Sequence, residues 1–163
     1  MSVAAHIAFI ASICAAPLSA QGLVFSDTAV RSCIEQGGAS CIGAAATACM
    51  KNSPGGESTV GMGGCLDREV QVWDEVLNAE YQRLVVTTGR RDAEGAEYNA
   101  PATQPALRNM QRAWIEYRDA TCDFERSKWG GGTRGGPATL ACIMRLTAQQ
   151  ALYLSNQRFA DGG

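Results

Sequence analysis

The stretch Met62-Gly63-Gly64-Cys65-Leu66-Asp67-Arg68-Glu69-Val70-Gln71-Val72-Trp73-Asp74-Glu75-Val76-Leu77-Asn78-Ala79-Glu80-Tyr81-Gln82-Arg83-Leu84 decides the fold class. Its apolar residues recur at Met62, Leu66, Val70, Trp73, Leu77, Tyr81 and Leu84, in steps of 4, 4, 3, 4, 4 and 3. That spacing lays them along one face of an α-helix, whereas a strand would show alternation. Ser58 or Thr59 is placed to cap the start, because a short hydroxyl side chain accepts from an unpaired N–H of the first turn. Gly89 is placed to end it.

The same period returns downstream. Leu107, Met110, Trp114, Tyr117, Thr121 and Phe124 trace a second long helix, with Thr103 as cap and Pro105 tolerated in the opening turn. Leu140, Ile143, Met144, Thr147, Ala151 and Leu154 trace a third, with Pro137 suited to its first turn. Upstream, short helices are expected over residues 28–36 and 41–51, joined by Gly37-Gly38 and followed by the linker Asn52-Ser53-Pro54-Gly55-Gly56. Amphipathic helices must bury their apolar stripes against one another. The expected fold is therefore all-α, a disulfide-stapled antiparallel bundle of three long helices with short N-terminal helices.

Residues 1–20 read as an export signal. They hold no Asp, Glu, Lys or Arg, run apolar from Val3 through Pro17, and end in Leu18-Ser19-Ala20, a small-x-small cleavage pattern before Gln21. The apolar run is shorter than a membrane-spanning helix requires, so cleavage after Ala20 and a periplasmic or secreted location are expected, with no membrane anchor. The domain reading is then 1–20 signal, 21–56 a short helical segment with extra cysteines, and 57–163 the main helical domain.

Charge and composition exclude several function classes. Fourteen basic against sixteen acidic side chains give a net of −2, without the basic excess that nucleic-acid binding needs. The single histidine, His6, lies in the signal, so the mature chain has none. Ser-His and Cys-His catalytic pairs and His-based zinc sites are thereby removed. No catalytic, cofactor-binding or metal-binding residue is assigned.

Cys14 leaves with the signal, and Cys33, Cys41, Cys49, Cys65, Cys122 and Cys142 remain. Six cysteines in an exported chain point to three disulfides. A Cys-only zinc site is disfavoured, because no C-x-x-C pair exists and spacings of 8, 8, 16, 57 and 20 match no zinc module. If 41–51 is helical, Cys41 and Cys49 stand about 12 Å apart along the axis, beyond the roughly 7 Å between Cα atoms that a bridge spans. Cys122 and Cys142 flank Gly130-Gly131-Gly132 to Gly135-Gly136-Pro137, which can turn the chain back, and this is the preferred pair. The simplest completion joins Cys33 to Cys41 and Cys49 to Cys65.

Three motifs carry a family resemblance: Cys65-x-x-x-Glu69-x-x-x-Trp73-Asp74-x-x-Leu77-Asn78-x-x-Tyr81-x-x-Leu84, then Gln111-Arg112-Ala113-Trp114-Ile115-x-Tyr117-Arg118-Asp119-x-x-Cys122, then Cys142-x-x-x-Leu146-Thr147. Over residues 49–155 the chain resembles the LprI-like family, named for a mycobacterial lipoprotein that inhibits lysozyme. The resemblance implies an exported helical domain with structural cysteines and, as partner, a lysozyme or other muramidase. Two departures stand out. Gln150 occupies a position where members often carry arginine, and no cysteine follows the cleavage site to take a lipid.

Trp73, Tyr81, Trp114 and Tyr117 fall on the traced apolar faces and read as core. Asn78, Gln111, Arg118 and Asp119 lie near those stripes and should be paired, in an interhelical hydrogen-bond network rather than a ligand cleft. Glu116 with Asp119, or Asp67 with Glu69, are the carboxylate pairs a glycosidase would use, although charges on amphipathic helices are usually the solvated face. Arg90-Arg91 is a loop solubility feature. The segment from Lys128 and Trp129 to Gly136, with Arg134, is either a turn or a flexible tip that reaches a partner. The resulting expectation is an exported, non-enzymatic binding protein, an inhibitor of a lysozyme; an envelope interaction module and, more remotely, a carboxylate-only hydrolase are the alternatives.

Overall fold

A computed structural model of the chain describes residues 22–36 and 38–157. The expected export segment, its cleavage site after Ala20, and Cys14 lie outside the described residues. Five α-helices follow in order: α1 Thr28–Gln36, α2 Ala44–Asn52, α3 Thr59–Gly95, α4 Thr103–Ser127 and α5 Gly135–Ser155, with a 3₁₀ turn Ala96–Tyr98 after α3. No strand occurs among the described residues, and no described helix is long and apolar enough to cross a membrane.

The three long helices form a disulfide-stapled bundle, with the short helices against α3. The α5 helix packs most extensively on α3, then on α4. It is buried on nearly every side, through Cys142, Met144, Leu146, Thr147, Ala148, Gln150, Ala151, Leu152 and Leu154. The α3 stripe supplies Trp73, Leu77 and Leu84 to the same core, and α1 and α2 close it with Val30, Ala45 and Ala46. Burial of this apolar area, at about 25 cal/mol per Å², is the main force assembling the bundle.

Three bridges tie it: Cys33–Cys41, Cys49–Cys65 and Cys122–Cys142, with Cα separations of 5.8, 5.7 and 5.5 Å. Each closes a short loop, as the turn-and-staple argument prefers. Cys41 precedes α2 rather than starting it, because the chain turns through Ala39, Cys41 and Gly43 before the helix begins.

Several local expectations are corrected. The α3 helix passes straight through Gly89 and ends at Gly95. Gly89 instead lets α4 approach: a Cβ there would lie 2.5 Å from the Gln104 amide nitrogen, which donates to the Val85 carbonyl at 2.8 Å. Thr103 does not cap α4 with its own side chain, since the helix is capped from across the turn by Asp92. Tyr117 and Phe124 are not core; they are 59% and 64% exposed. At 3.6 residues per turn, the line through Leu107, Trp114, Thr121 and Cys122 leaves Tyr117 and Phe124 rotated by about 80–100° onto the flank of α4.

Candidate interaction site at the helical hairpin

Two carboxylates on α3 organise the bundle, each by accepting from backbone N–H groups at the start of another helix. Glu69 is fully buried. Its Oε1 accepts from the Gly43 N–H at 2.7 Å and the Trp73 indole N–H at 3.0 Å, and its Oε2 from the Ala46 N–H at 2.7 Å. It therefore caps the start of α2, where unpaired N–H groups and the helix dipole favour negative charge. Asp67, two residues away, accepts instead from the Gln71 side chain at 2.8 Å. Asp92 accepts from the N–H groups of Thr103 and Gln104 at 2.7 and 2.8 Å. The Gln104 and then the Thr103 N–H hold its carboxyl below the ordinary value of 3.8.

The polar motif residues divide. Gln111 is buried, and its Oε1 accepts from Gln150 Nε2 at 3.1 Å, linking α4 to α5; Gln150 also reaches the Met110 sulfur at 3.3 Å. The neutral Gln150 thus makes a hydrogen bond where an arginine would bring charge. Asn78 is exposed and donates along its own helix to Asp74 at 2.9 Å. Arg118 pairs with the adjacent Asp119 at 2.8 Å, and its guanidinium carbon lies 5.1 Å from the Trp114 ring centroid. Of these four, then, Gln111 is the one that joins an interhelical bond. Trp73 is fully buried, and Tyr81 and Trp114 pack on the core.

The α4–α5 hairpin presents what the bundle leaves outside. Cys122–Cys142 clamps its legs. Between them the chain turns by successive backbone bonds, Trp129 N–H to Arg126 O, Gly130 N–H to Ser127 O, Gly132 N–H to Trp129 O and Gly135 N–H to Gly132 O, all at 3.0–3.1 Å. Of the two readings of this segment, turn or flexible tip, the structure has the bonded turn, and Gly130 supplies its left-handed φ of 54°. Lys128 pairs with Glu125 at 2.6 Å and sits 5.2 Å from the Phe124 ring centroid.

Trp129 is 45% exposed at the edge of an open groove of about 610 Å³. Ile42, Ala138, Ala141 and Met144 give it apolar walls, and Glu125, Arg145 and Gln149 also line it. Arg126, Arg134 and Arg145 are exposed and form no ion pair among the described residues. Residues 123–145 hold four cations against two carboxylates, whereas α3 holds seven carboxylates against four arginines. Sequence reasoning missed this polarity because it summed charge over the whole chain. It also missed the groove, whose Ile42 wall comes from a segment about a hundred residues away.

The sequence model of a family described as lysozyme inhibitor LprI matches residues 49–154, from the first cysteine of the middle bridge to the last turn of α5. The chain belongs to the LprI family. The matched region contains the hairpin and two of the three bridges; Cys33–Cys41 lies before it. An uncharacterized 17.7 kDa protein encoded in the puhA 5′ region of Rhodobacter capsulatus is 27% identical over 121 residues, covering 70% of this chain and 72% of that protein. An uncharacterized protein of Rhizobium meliloti (strain 1021) is 29% identical over 92 residues, covering 55% of this chain and 66% of that protein. No solved structure matches. LprI membership brings an inhibitor-like binding function with a protein partner, and together with three disulfides it indicates an extracytoplasmic protein.

Proposed function

We propose that the protein is exported by residues 1–20, cleaved after Ala20, and acts in the periplasm or outside the cell as a non-enzymatic inhibitor of a lysozyme or related muramidase. The observation that carries this reading is the LprI match over residues 49–154, which takes in all three long helices. The side chains support it. The Glu69 oxygens are spent on a helix cap, and Asp119 is ion-paired on an open helix face rather than set in a cleft. A body stapled by three disulfides loses little conformational freedom on binding, which favours an element that blocks another protein's cleft. Lysozymes are commonly basic, and the carboxylate-rich α3 adds a favourable long-range field.

The test is lysis of a muramidase-sensitive bacterial suspension by a panel of lysozymes, with the oxidised protein and, as control, its reduced form. Dose-dependent protection by the oxidised protein alone is the expected result. Absence of protection across the panel overturns the inhibitor reading and leaves an envelope module whose partner, another protein or a cell-wall fragment, is then sought by pull-down from envelope extract.

A further inference from the structure

The geometry points to the α4–α5 hairpin end as the surface that closes the muramidase cleft, with Arg126 and Arg134 facing the carboxylates inside it and Trp129 buried against its wall. This inference rests on the inhibitor reading. Glycoside hydrolysis runs on a pair of Asp or Glu side chains flanking the scissile bond, so the cleft an inhibitor must fill carries negative charge. A matching element has to be held together, cationic, pre-organised and partly apolar.

The hairpin meets each requirement with a different observation. Its two legs are held together by the Cys122–Cys142 clamp, with 5.5 Å between Cα atoms, so they do not splay on docking. Its exposed arginines are unpaired among the described residues, and a guanidinium fits a carboxylate through two parallel hydrogen bonds. Its turn is already bonded, so docking orders little further chain. Half-exposed Trp129 is the residue type that most often anchors an interface, and the groove beside it gives the lip of the cleft a recess. The carboxylate-rich α3 face is the opposite case. It complements the outer surface of a basic enzyme but would be repelled by the catalytic carboxylates, so it steers the approach and does not enter.

The experiment measures binding kinetics and lysis inhibition for the oxidised wild type, the double variant Arg126→Glu/Arg134→Glu, Trp129→Ala, and Asp74→Lys/Glu75→Lys on α3. All these positions are exposed, and circular dichroism with intact disulfides checks the fold. The hairpin variants should dissociate at least about tenfold faster and inhibit correspondingly less, while the α3 variant should change mainly the salt-dependent association rate. A muramidase whose ionised catalytic carboxylate is neutralised, Asp to Asn or Glu to Gln, should bind the wild type about tenfold more weakly, yet bind the arginine double variant unchanged. If the wild type inhibits and the hairpin variants match it within about twofold, the hairpin assignment is overturned and the inhibitor reading stands. If the wild type inhibits no muramidase, both fall.

Discussion

Glu69 and Asp92 sit on one helix, and each caps the first turn of another. Glu69 holds α2, and Asp92 holds α4. The chemistry is the same, a carboxylate accepting from backbone N–H groups at 2.7–2.8 Å, and the surroundings differ. Glu69 lies inside the core with Trp73 as its third donor, whereas Asp92 stands at the rim of the α3–α4 turn within reach of water. Burial, more than bond count, therefore sets what such a cap is worth. Where water can replace the carboxylate, losing it costs only the net value of the bonds; where it cannot, the donors are stranded.

The largest effect should therefore come from Glu69→Ala. Three N–H groups would lose their acceptor in a dry site, and the expected loss of unfolding free energy is about 3–5 kcal/mol in denaturant titration. Glu69→Gln keeps one acceptor oxygen and should lose roughly half as much. Because Cys49–Cys65 still tethers α2 to α3, the damage should appear first as faster hydrogen exchange at the Ala46 amide. A loss under about 1 kcal/mol would break the comparison, by showing that water reaches the site.

Asp92→Ala should do less, and its effect should depend on pH. The carboxyl is lowered in the folded protein, chiefly by the Gln104 and then the Thr103 N–H. Its contribution is accordingly complete above the ordinary value of 3.8 and is lost as pH falls through the lower folded-state value. Thermal melts of wild type and variant should differ at pH 7 and converge in strong acid. A gap that stays constant down to the acid limit would show that the carboxylate does not hold the turn.

These two caps also mark where the sequence stops being legible. The α3 period is visible in Leu66, Trp73, Leu77 and Leu84 because a helix face is a local pattern. The Cys122–Cys142 preference is visible because those cysteines flank a glycine-rich turn, whereas the sequence leaves the connectivity of the other four open. Glu69 reads as a candidate acid or base beside Asp67, since nothing near it in sequence shows that Gly43 and Ala46 will meet it across the α2–α3 turn. Thr103 looks like a cap by position, but its own hydroxyl is displaced from that role by a carboxylate eleven residues earlier. Tyr117 passes for core because steps of three and four tolerate a drift that only the packing of α4 on α5 resolves. At the hairpin, Trp129 and Arg134 stand out in sequence, whereas the groove wall from Ile42 requires the fold.

A third cap is local in sequence. Ser58 begins α3, and its hydroxyl oxygen accepts from the Gly61 N–H at 3.0 Å, three residues along the same chain. The Ser58 side chain is exposed, and the expected loss in Ser58→Ala is about 0.5–1 kcal/mol with unchanged pH dependence. Urea titration of Ser58→Ala beside Glu69→Ala places a near-sequence, wet cap against a far-sequence, dry one within the same cooperative unit. If burial sets the value, the two losses differ by at least about threefold and add in the double variant, because the sites share no partner. Equal losses would mean that α3 needs its first turn as much as α2 needs its anchor, and the ranking by burial would have to be given up.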